Sequence, residues 1–271
     1  KTFEEIIGKY ASRRAPVSGV VERVGKDSIV IRAGRKKHEV QLYDNFPLKG
    51  HTLYDSETLV KKGDKVKKGQ LVADSTFTKD GTLALGTNLF TAYVPFKGYN
   101  FEDGVVISES AAKKLTSLHL HRKDASVDMG TVISRKKFLA EHPYTFKKDQ
   151  VRNVGDDGVV SIGSEVSPGD PLVLILKRPS QTKHTQSLRT FRRGRPDKYR
   201  DRSIVWDSDY KGVVTDIVKK GGSVTVYVKT KEPAQQGDKL VGRHGNKGII
   251  TRIVPDSEMP YKMVGDKQRH V

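Results

Sequence analysis

Short β-branched runs broken by glycine set the limits on what this chain can fold into. GVVERV (19–24), SIVIR (28–32), HEVQL (38–42) and GVVSI (158–162) each end at a Gly, Asp or Lys-Gly turn. Runs of this length and composition read as strands, and their spacing leaves little room for helix between them. GVVTDIV (212–218) and SVTVYV (223–228) alternate with period two around KKGG, which predicts a hairpin. Helical patterning is confined to KTFEEIIGKY at the start, SESAAKKL (108–115, Ser108 as N-cap) and RKKFLAEH (135–142), each about two turns. The expected fold class is mainly β with short helices, a barrel-like assembly rather than stacked βαβ units.

A weak echo runs through the chain. GDKVKKGQLV (63–72) and GSEVSPGDPLV (163–173) both place Val three residues after a Gly, another Gly three further, and then a Leu-Val pair. This predicts a tight turn feeding a buried strand, used twice in two small β subdomains; it is too sparse for a repeat array.

Composition narrows the function classes. The longest apolar runs, such as LVLIL (172–176), fall far short of the roughly 18–20 residues that span a bilayer, so no membrane role is expected. The chain opens on no charged-then-apolar leader, and a cytoplasmic location is expected. Its 271 residues contain no cysteine, which excludes disulfide scaffolds, thiolate zinc sites and cysteine nucleophiles. Fifty Lys and Arg against 32 Asp and Glu give a formal charge of +18, which points to a polyanionic partner.

Part of that charge is concentrated. Between Lys177 and Arg202 ten Lys or Arg face only Asp197 and Asp201. The segment reads as a phosphate-contacting arm, with Phe191, Tyr199 and Trp206 as stacking groups.

Two stretches carry candidate chemistry. QQGDKLVGRHGNKGII (235–250) sets Lys239, Arg243, His244 and Lys247 among four glycines. Glycines let backbone approach a ligand, and the cations suit phosphate, although the spacing is not that of a Walker loop. FKGYNFEDGVVIS (96–108) holds the adjacent acids Glu102 and Asp103. Neighbours on a regular strand face opposite ways, so both serve one site only at a loop or bulge, and from residue types alone a solvated turn is the favoured reading. His119 and His121 share a strand face in SLHLH, and without a third ligand they read as a partly exposed face. Neither a G-x-S-x-G elbow nor an H-E-x-x-H helix is present.

Together these stretches resemble the β subunit of the bacterial-type multisubunit DNA-dependent RNA polymerase. GDKLVGRHGNKGIITRIVPDSEMPY (237–261) is similar to that family's G-D-K-x-x-G-R-H-G-N-K-G segment and its MPY turn. ALGTNLFTAYVPFKGYNFEDGVVISE (84–109) is similar to its N-F-E-D segment. VRNVGDDGVVSIGSEVSPGDPLV (151–173) and VKKGDKVKKGQLVADS (60–75) resemble its flap entry and a preceding turn.

The resemblance implies a double-psi β-barrel, a β-rich flap and barrel-sandwich-hybrid-like elements. Residues 1–110 would open the barrel region, 111–231 would form a connector and flap with a basic tip at about 177–211, and 232–271 would return to the barrel. Lys239 and Lys247 would contact phosphates at the RNA 3′ end and the incoming nucleotide, with Arg243 and His244 beside them on nucleic acid. Glu102 and Asp103 would lie beside the second Mg²⁺ and the substrate triphosphate, while the catalytic Mg²⁺ would be held mainly by the β′ subunit. Arg189, Arg192, Arg193 and Arg195 would contact nucleic acid from the flap. The partners implied are β′, the rest of β, α-like assembly subunits, an initiation factor, DNA template, RNA transcript and NTPs. The β′ aspartate triad, the upstream β lobes and the N-P-L-G-V-P-S-R-M-N segment are absent from these residues, so the chain looks like a truncated or split β subunit. Where relatives carry a σ-docking helix, this chain has SQTKHTQSLRTFRRGRPDKYRDR, a tip expected of a phage-encoded enzyme, with an unusual bacterial or plastid lineage as the alternative. The rival from another class is a non-catalytic nucleic-acid-binding transcription factor built on the same barrel.

Overall fold

The structure is a computed structural model that describes residues 2–178, 199–265 and 267–271. It is mainly β, with three short α-helices among the described residues. The chain divides into two compact units. Lys1–Leu118 and Glu232–Val271 form one, and His119–Lys231, inserted between them in sequence, forms the other.

Each helix starts where a side chain can satisfy its free N–H groups. Helix α1 (Phe3–Ala11) opens on a capping box between Thr2 and Glu5. Ser108 caps α2 (Glu109–Lys114) by accepting from the Ala111 N–H, and Ser134 caps α3 (Arg135–Glu141) through Lys137. The buried Gly8 lets α1 lie against the Gly81–Leu83 backbone, since a Cβ there would stand 2.4 Å from the Gly81 carbonyl.

In the first unit a four-stranded sheet runs in the order Lys36–Gln41, Ser28–Ala33, Gly19–Val24, Lys65–Val66. Val21, Ile29, Ile31, Val66 and Val72 form its core. In the second unit the order is Ser117–Ser126, Ser223–Glu232, Gly212–Lys220, Glu165–Val166, and Val166, Leu172, Trp206, Val214, Val226 and Val228 fill the core. The KKGG hairpin forms as expected. Lys220 pairs with Ser223, and Gly221 and Gly222 take φ of 54° and 80°, the two left-handed positions of a tight turn between twisted strands.

The sequence echo is also structural. Gly63, Gly69, Gly163 and Gly169 all have positive φ, between 83° and 97°. Gly63 donates to the Val21 carbonyl and Gly163 to that of Val214, both at 2.7 Å. Gly69 and Ala15 bond in one unit as Gly169 and Trp206 do in the other, and in each case the return bond goes to the next residue, Gln70 or Asp170. The facing hairpin strand slips register at the same place, between Val21 and Arg23 and between Val214 and Asp216.

Two expectations need correction. GVVSI (158–162) does not form a regular strand. Gly158 is left-handed at φ 77°, and Val159 and Val160 make only isolated bridges. Trp206 is not a stacking group for nucleic acid. It is fully buried, and its indole N–H donates to the Tyr210 carbonyl at 2.7 Å. Within the stretch expected as a basic tip, Arg200–Asp201 and Ile204–Val205 pair with the strands Ile175–Lys177 and Pro171–Val173.

His119 and His121 stack along one strand face with centroids 6.1 Å apart. The His121 Nε2 lies 3.2 Å from the Thr230 hydroxyl, and the ring meets Trp206 edge-on.

Candidate functional site

The candidate site is built on the first unit's three-stranded sheet, a half-barrel in which Gly104–Ser108 runs parallel to Lys247–Val254 and the latter pairs antiparallel with Lys239–Val241. The register puts Lys239 opposite Ile249 and Val241 opposite Lys247. Directly opposed residues share a face, so Lys239 and Lys247 project together from the exposed side. Between them Leu240, Gly248 and Ile250 turn inward, towards a small core of Ile107, Ala112 and Ala234.

Arg243 and His244 lie exposed in the five-residue loop that joins the two lysine strands. Gly242 donates to the Asn246 carbonyl at 2.9 Å, and Gly245 takes φ 81°. The Asn246 side chain fills the space beside Gly242, where a Cβ would come within 2.2 Å of it. Glu4 of α1 has its carboxyl pKa lowered chiefly by a backbone hydrogen bond and by Thr2, with a smaller contribution from the Arg243 charge.

The acidic turn is held by its own polar groups. The Asn100 side chain accepts from the Phe96 N–H at 2.8 Å and donates to the Val94 carbonyl at 2.7 Å. Tyr99 and Gly104 close turns onto the Phe96 and Phe101 carbonyls. Glu102 is left-handed at φ 51°, an uncommon conformation for a residue other than glycine. Strand alternation therefore does not apply at this pair, and Glu102 and Asp103 both lie exposed ahead of the strand that begins at Gly104.

Backbone contacts join the acidic turn to the lysine hairpin. The Ile249 N–H donates to the Asp103 carbonyl at 2.9 Å. Gly248 makes the approach possible, because a Cβ there would lie 2.6 Å from Val105 Cγ2 and 2.8 Å from that same carbonyl. Residues that the sequence holds far apart thus become immediate neighbours.

The following segment braces the sheet. The Asp256 carboxylate accepts from the Ser110 N–H at 3.0 Å in the first turn of α2, and this hydrogen bond lowers its pKa. Lys97 pairs with Glu258 at 3.4 Å.

Asn100, Thr251 and Arg252 went unnoticed at the level of sequence. Asn100 sits inside the quoted N-F-E-D motif, and a polar Thr-Arg pair interrupting the apolar run IITRIV was the available signal for the others. Arg189, Arg192, Arg193 and Arg195 lie outside the described residues. Two cations beside that segment are engaged by protein groups: Lys177 with Asp128, and Arg178 with the ring and hydroxyl of Tyr199. Among the described residues no group of three or more His, Asp or Glu is arranged to hold a metal ion.

The chain is similar in sequence to known proteins. A family model described as RNA polymerase Rpb2, domain 6 matches residues 14–267. The chain is 35% identical over 265 residues to a DNA-directed RNA polymerase subunit beta of Rubrobacter xylanophilus, which covers 90% of this chain and 23% of that protein. Proteins of the same description from Treponema denticola and Caldicellulosiruptor bescii are 32% and 34% identical, covering 92% and 96% of the chain and 23% of each relative. The chain thus spans about a quarter of the length of these relatives. With its match running from residue 14 to residue 267, the chain belongs to the RNA polymerase Rpb2 domain 6 family.

Proposed function

We propose that this chain is the part of an RNA polymerase β subunit that lines the nucleotidyl-transfer centre of a DNA-directed RNA polymerase. The observation that carries the reading is the junction of the lysine hairpin and the acidic turn through Gly248 and the Asp103–Ile249 hydrogen bond. It sets two lysines and two carboxylates on neighbouring segments of one small sheet.

Nucleotidyl transfer asks a protein mainly for positioning and charge stabilisation. Lys239 and Lys247 bind phosphate oxygens at the RNA 3′ end and on the incoming nucleotide, and hold charge where it accumulates on the leaving group. Arg243 and His244, at the loop tip, reach the nucleic-acid backbone. Glu102 and Asp103 fit a supporting part towards Mg²⁺. Among the described residues these adjacent acids belong to no group of three or more metal-ligating side chains, and a pair does not make a magnesium site alone, so the ion would be held mainly by carboxylates of the β′ subunit. Mg²⁺, when bound, stabilises the attacking and leaving oxygens.

Activity then requires β′ and the rest of β, with α-like assembly subunits, an initiation factor, DNA template, RNA transcript and NTPs as the further partners. The arm that contains Arg189, Arg192, Arg193 and Arg195 contacts nucleic-acid phosphates. No helix among the described residues is long and apolar enough to cross a membrane, and a cytoplasmic enzyme is the reading that accompanies this function.

The test is RNA extension on a preformed DNA–RNA scaffold by the polymerase that contains this chain, with Lys247→Ala beside the parent. The variant is expected to bind the scaffold normally and extend about 10²–10³-fold more slowly, the loss typical of removing one preorganised charge-stabilising group. Unchanged extension overturns the catalytic reading. Weakened scaffold binding with an unchanged rate favours the non-catalytic nucleic-acid-binding factor instead.

A further inference from the structure

The pairing of Gly104–Ser108 with Lys247–Val254 contains an irregularity beside the candidate site. Gly104 faces Ile249 and Val105 faces Ile250, but Val106 faces Arg252, so Thr251 is an extra residue on its strand. Bulges are rare in parallel pairs, and they re-aim the side chain of the added residue. Here the Thr251 hydroxyl is aimed at the acidic turn. Its oxygen lies 2.5 Å from the Tyr99 carbonyl and 3.2 Å from that of Val105, so its single proton goes chiefly to Tyr99. The Thr251 methyl packs over Gly104, where a Cβ would come within 2.9 Å of it.

The next residue grips the same turn from outside. The Arg252 guanidinium carbon lies 4.4 Å from the centre of the Tyr99 ring. One bulged dipeptide, four residues beyond Lys247, therefore holds both the backbone and the side chain of Tyr99, three residues before Glu102.

From this geometry we infer that Thr251 and Arg252 are positioning residues that fix the acidic turn relative to Lys239 and Lys247. The inference rests on the proposed nucleotidyl-transfer site and adds the device that sets its internal spacing. Glu102 is already in an unfavourable left-handed conformation, and such a conformation persists only where its surroundings over-determine it. The Thr251 hydroxyl and the Arg252–Tyr99 contact join the Asn100 hydrogen bonds and the Asp103–Ile249 bond in those surroundings.

Thr251→Val removes the hydroxyl while keeping the shape that packs on Gly104, and Thr251→Ser keeps the hydroxyl. In the assembled polymerase, Thr251→Val is expected to raise the Mg²⁺ concentration for half-maximal extension about three- to tenfold. That is below the ~10²-fold that ångström-scale misplacement of a reacting group can cost. Scaffold affinity should stay at the parental value, and Thr251→Ser should restore the parental Mg²⁺ curve. Arg252→Gln, which leaves the bulge intact, should give a smaller shift of about two- to fivefold, the range of an exposed cation–π contact. It carries the test if the valine variant does not assemble.

A parental Mg²⁺ curve for Thr251→Val, or for Arg252→Gln where that variant stands in for it, overturns the inference. Lys247→Ala separates the two possible failures. If it extends slowly while the Thr251 and Arg252 variants behave as the parent, the site stands and the positioning device falls. If Lys247→Ala also extends as the parent does, the site itself is wrong.

Discussion

The two units build the same turn twice and set it against different neighbours. In the first, the residue that exchanges backbone hydrogen bonds with the Gly69–Gln70 pair is Ala15; in the second, the residue bonded in the same way to Gly169 and Asp170 is Trp206. Both are buried, yet one is among the smallest side chains and the other is the largest. The hydrogen-bond pattern and the four left-handed glycines are kept, while the volume at the equivalent position changes completely. The Gly-x-x-Val-x-x-Gly spacing therefore specifies a backbone path, and the residue opposite the turn sets how much core that path encloses.

That contrast can be broken most severely at Trp206. Trp206→Ala gives the second unit the first unit's residue without its surroundings, and should cost about 3–5 kcal/mol through lost burial and the cavity left behind. Urea unfolding of the full chain, with hydrogen exchange followed in each unit, checks this. The loss should fall on the amides of residues 119–231, and an equal loss in both units would show that the cores are not independent.

A finer comparison lies at Gly19 and Gly212, which pair with Val66 and Val166 respectively. A Cβ at Gly19 would meet the Arg32 carbonyl at 2.3 Å, whereas at Gly212 the nearest atom, also at 2.3 Å, is the Val228 side chain. Alanine at either position should cost about 1–3 kcal/mol, with Gly19→Ala the more damaging because backbone yields less readily than a side chain. Equilibrium denaturation of the two variants decides the order, and the reverse order would show that the packing around Val228 is the stiffer of the two.

The smallest effect concerns Asp128, in the second unit. Hydrogen bonds from Lys177 and Thr131 bring its pKa down from 3.8 to about 2. A carboxyl lowered by folding stabilises the folded chain fully above its ordinary pKa, and that contribution is lost as pH falls from about 3.8 through about 2. An NMR titration of the side-chain carboxyl should find its midpoint near 2 in the parent and higher in Lys177→Ala, yet still below 3.8 because the Thr131 hydrogen bond remains.

Local order explains what could be read from the residues alone. The KKGG hairpin, the Ser108 cap and the paired glycine turns depend on contacts within a few positions, and the structure has each of them. Trp206 was misread because an aromatic residue beside a basic stretch looks the same whether its ring meets solvent or a core closed by Val166 and Val228. GVVSI was misread because Gly158 breaks the backbone path although the valines after it favour strand. At the candidate site the motifs named the lysines and the acids. The Thr251 bulge and the fit of Gly248 under Asp103 depend on pairing between distant segments, which no local pattern reports.

The parallel pairing at the site also sets an order of events during synthesis. Val105 and Thr251, which share a hydrogen bond, are 146 positions apart. At ~5–20 residues per second, the strand Gly104–Ser108 leaves the ribosome roughly 7–30 s before its partner exists. In that interval the whole of His119–Lys231 emerges and can fold as its own unit. Val105, Val106 and Ile107 wait meanwhile as an unpaired apolar edge, the kind of segment that aggregates or recruits a chaperone. The proposed reaction centre thus closes only after the inserted unit has been made, and slow translation between residues 110 and 240 lengthens the time for which that edge is unprotected.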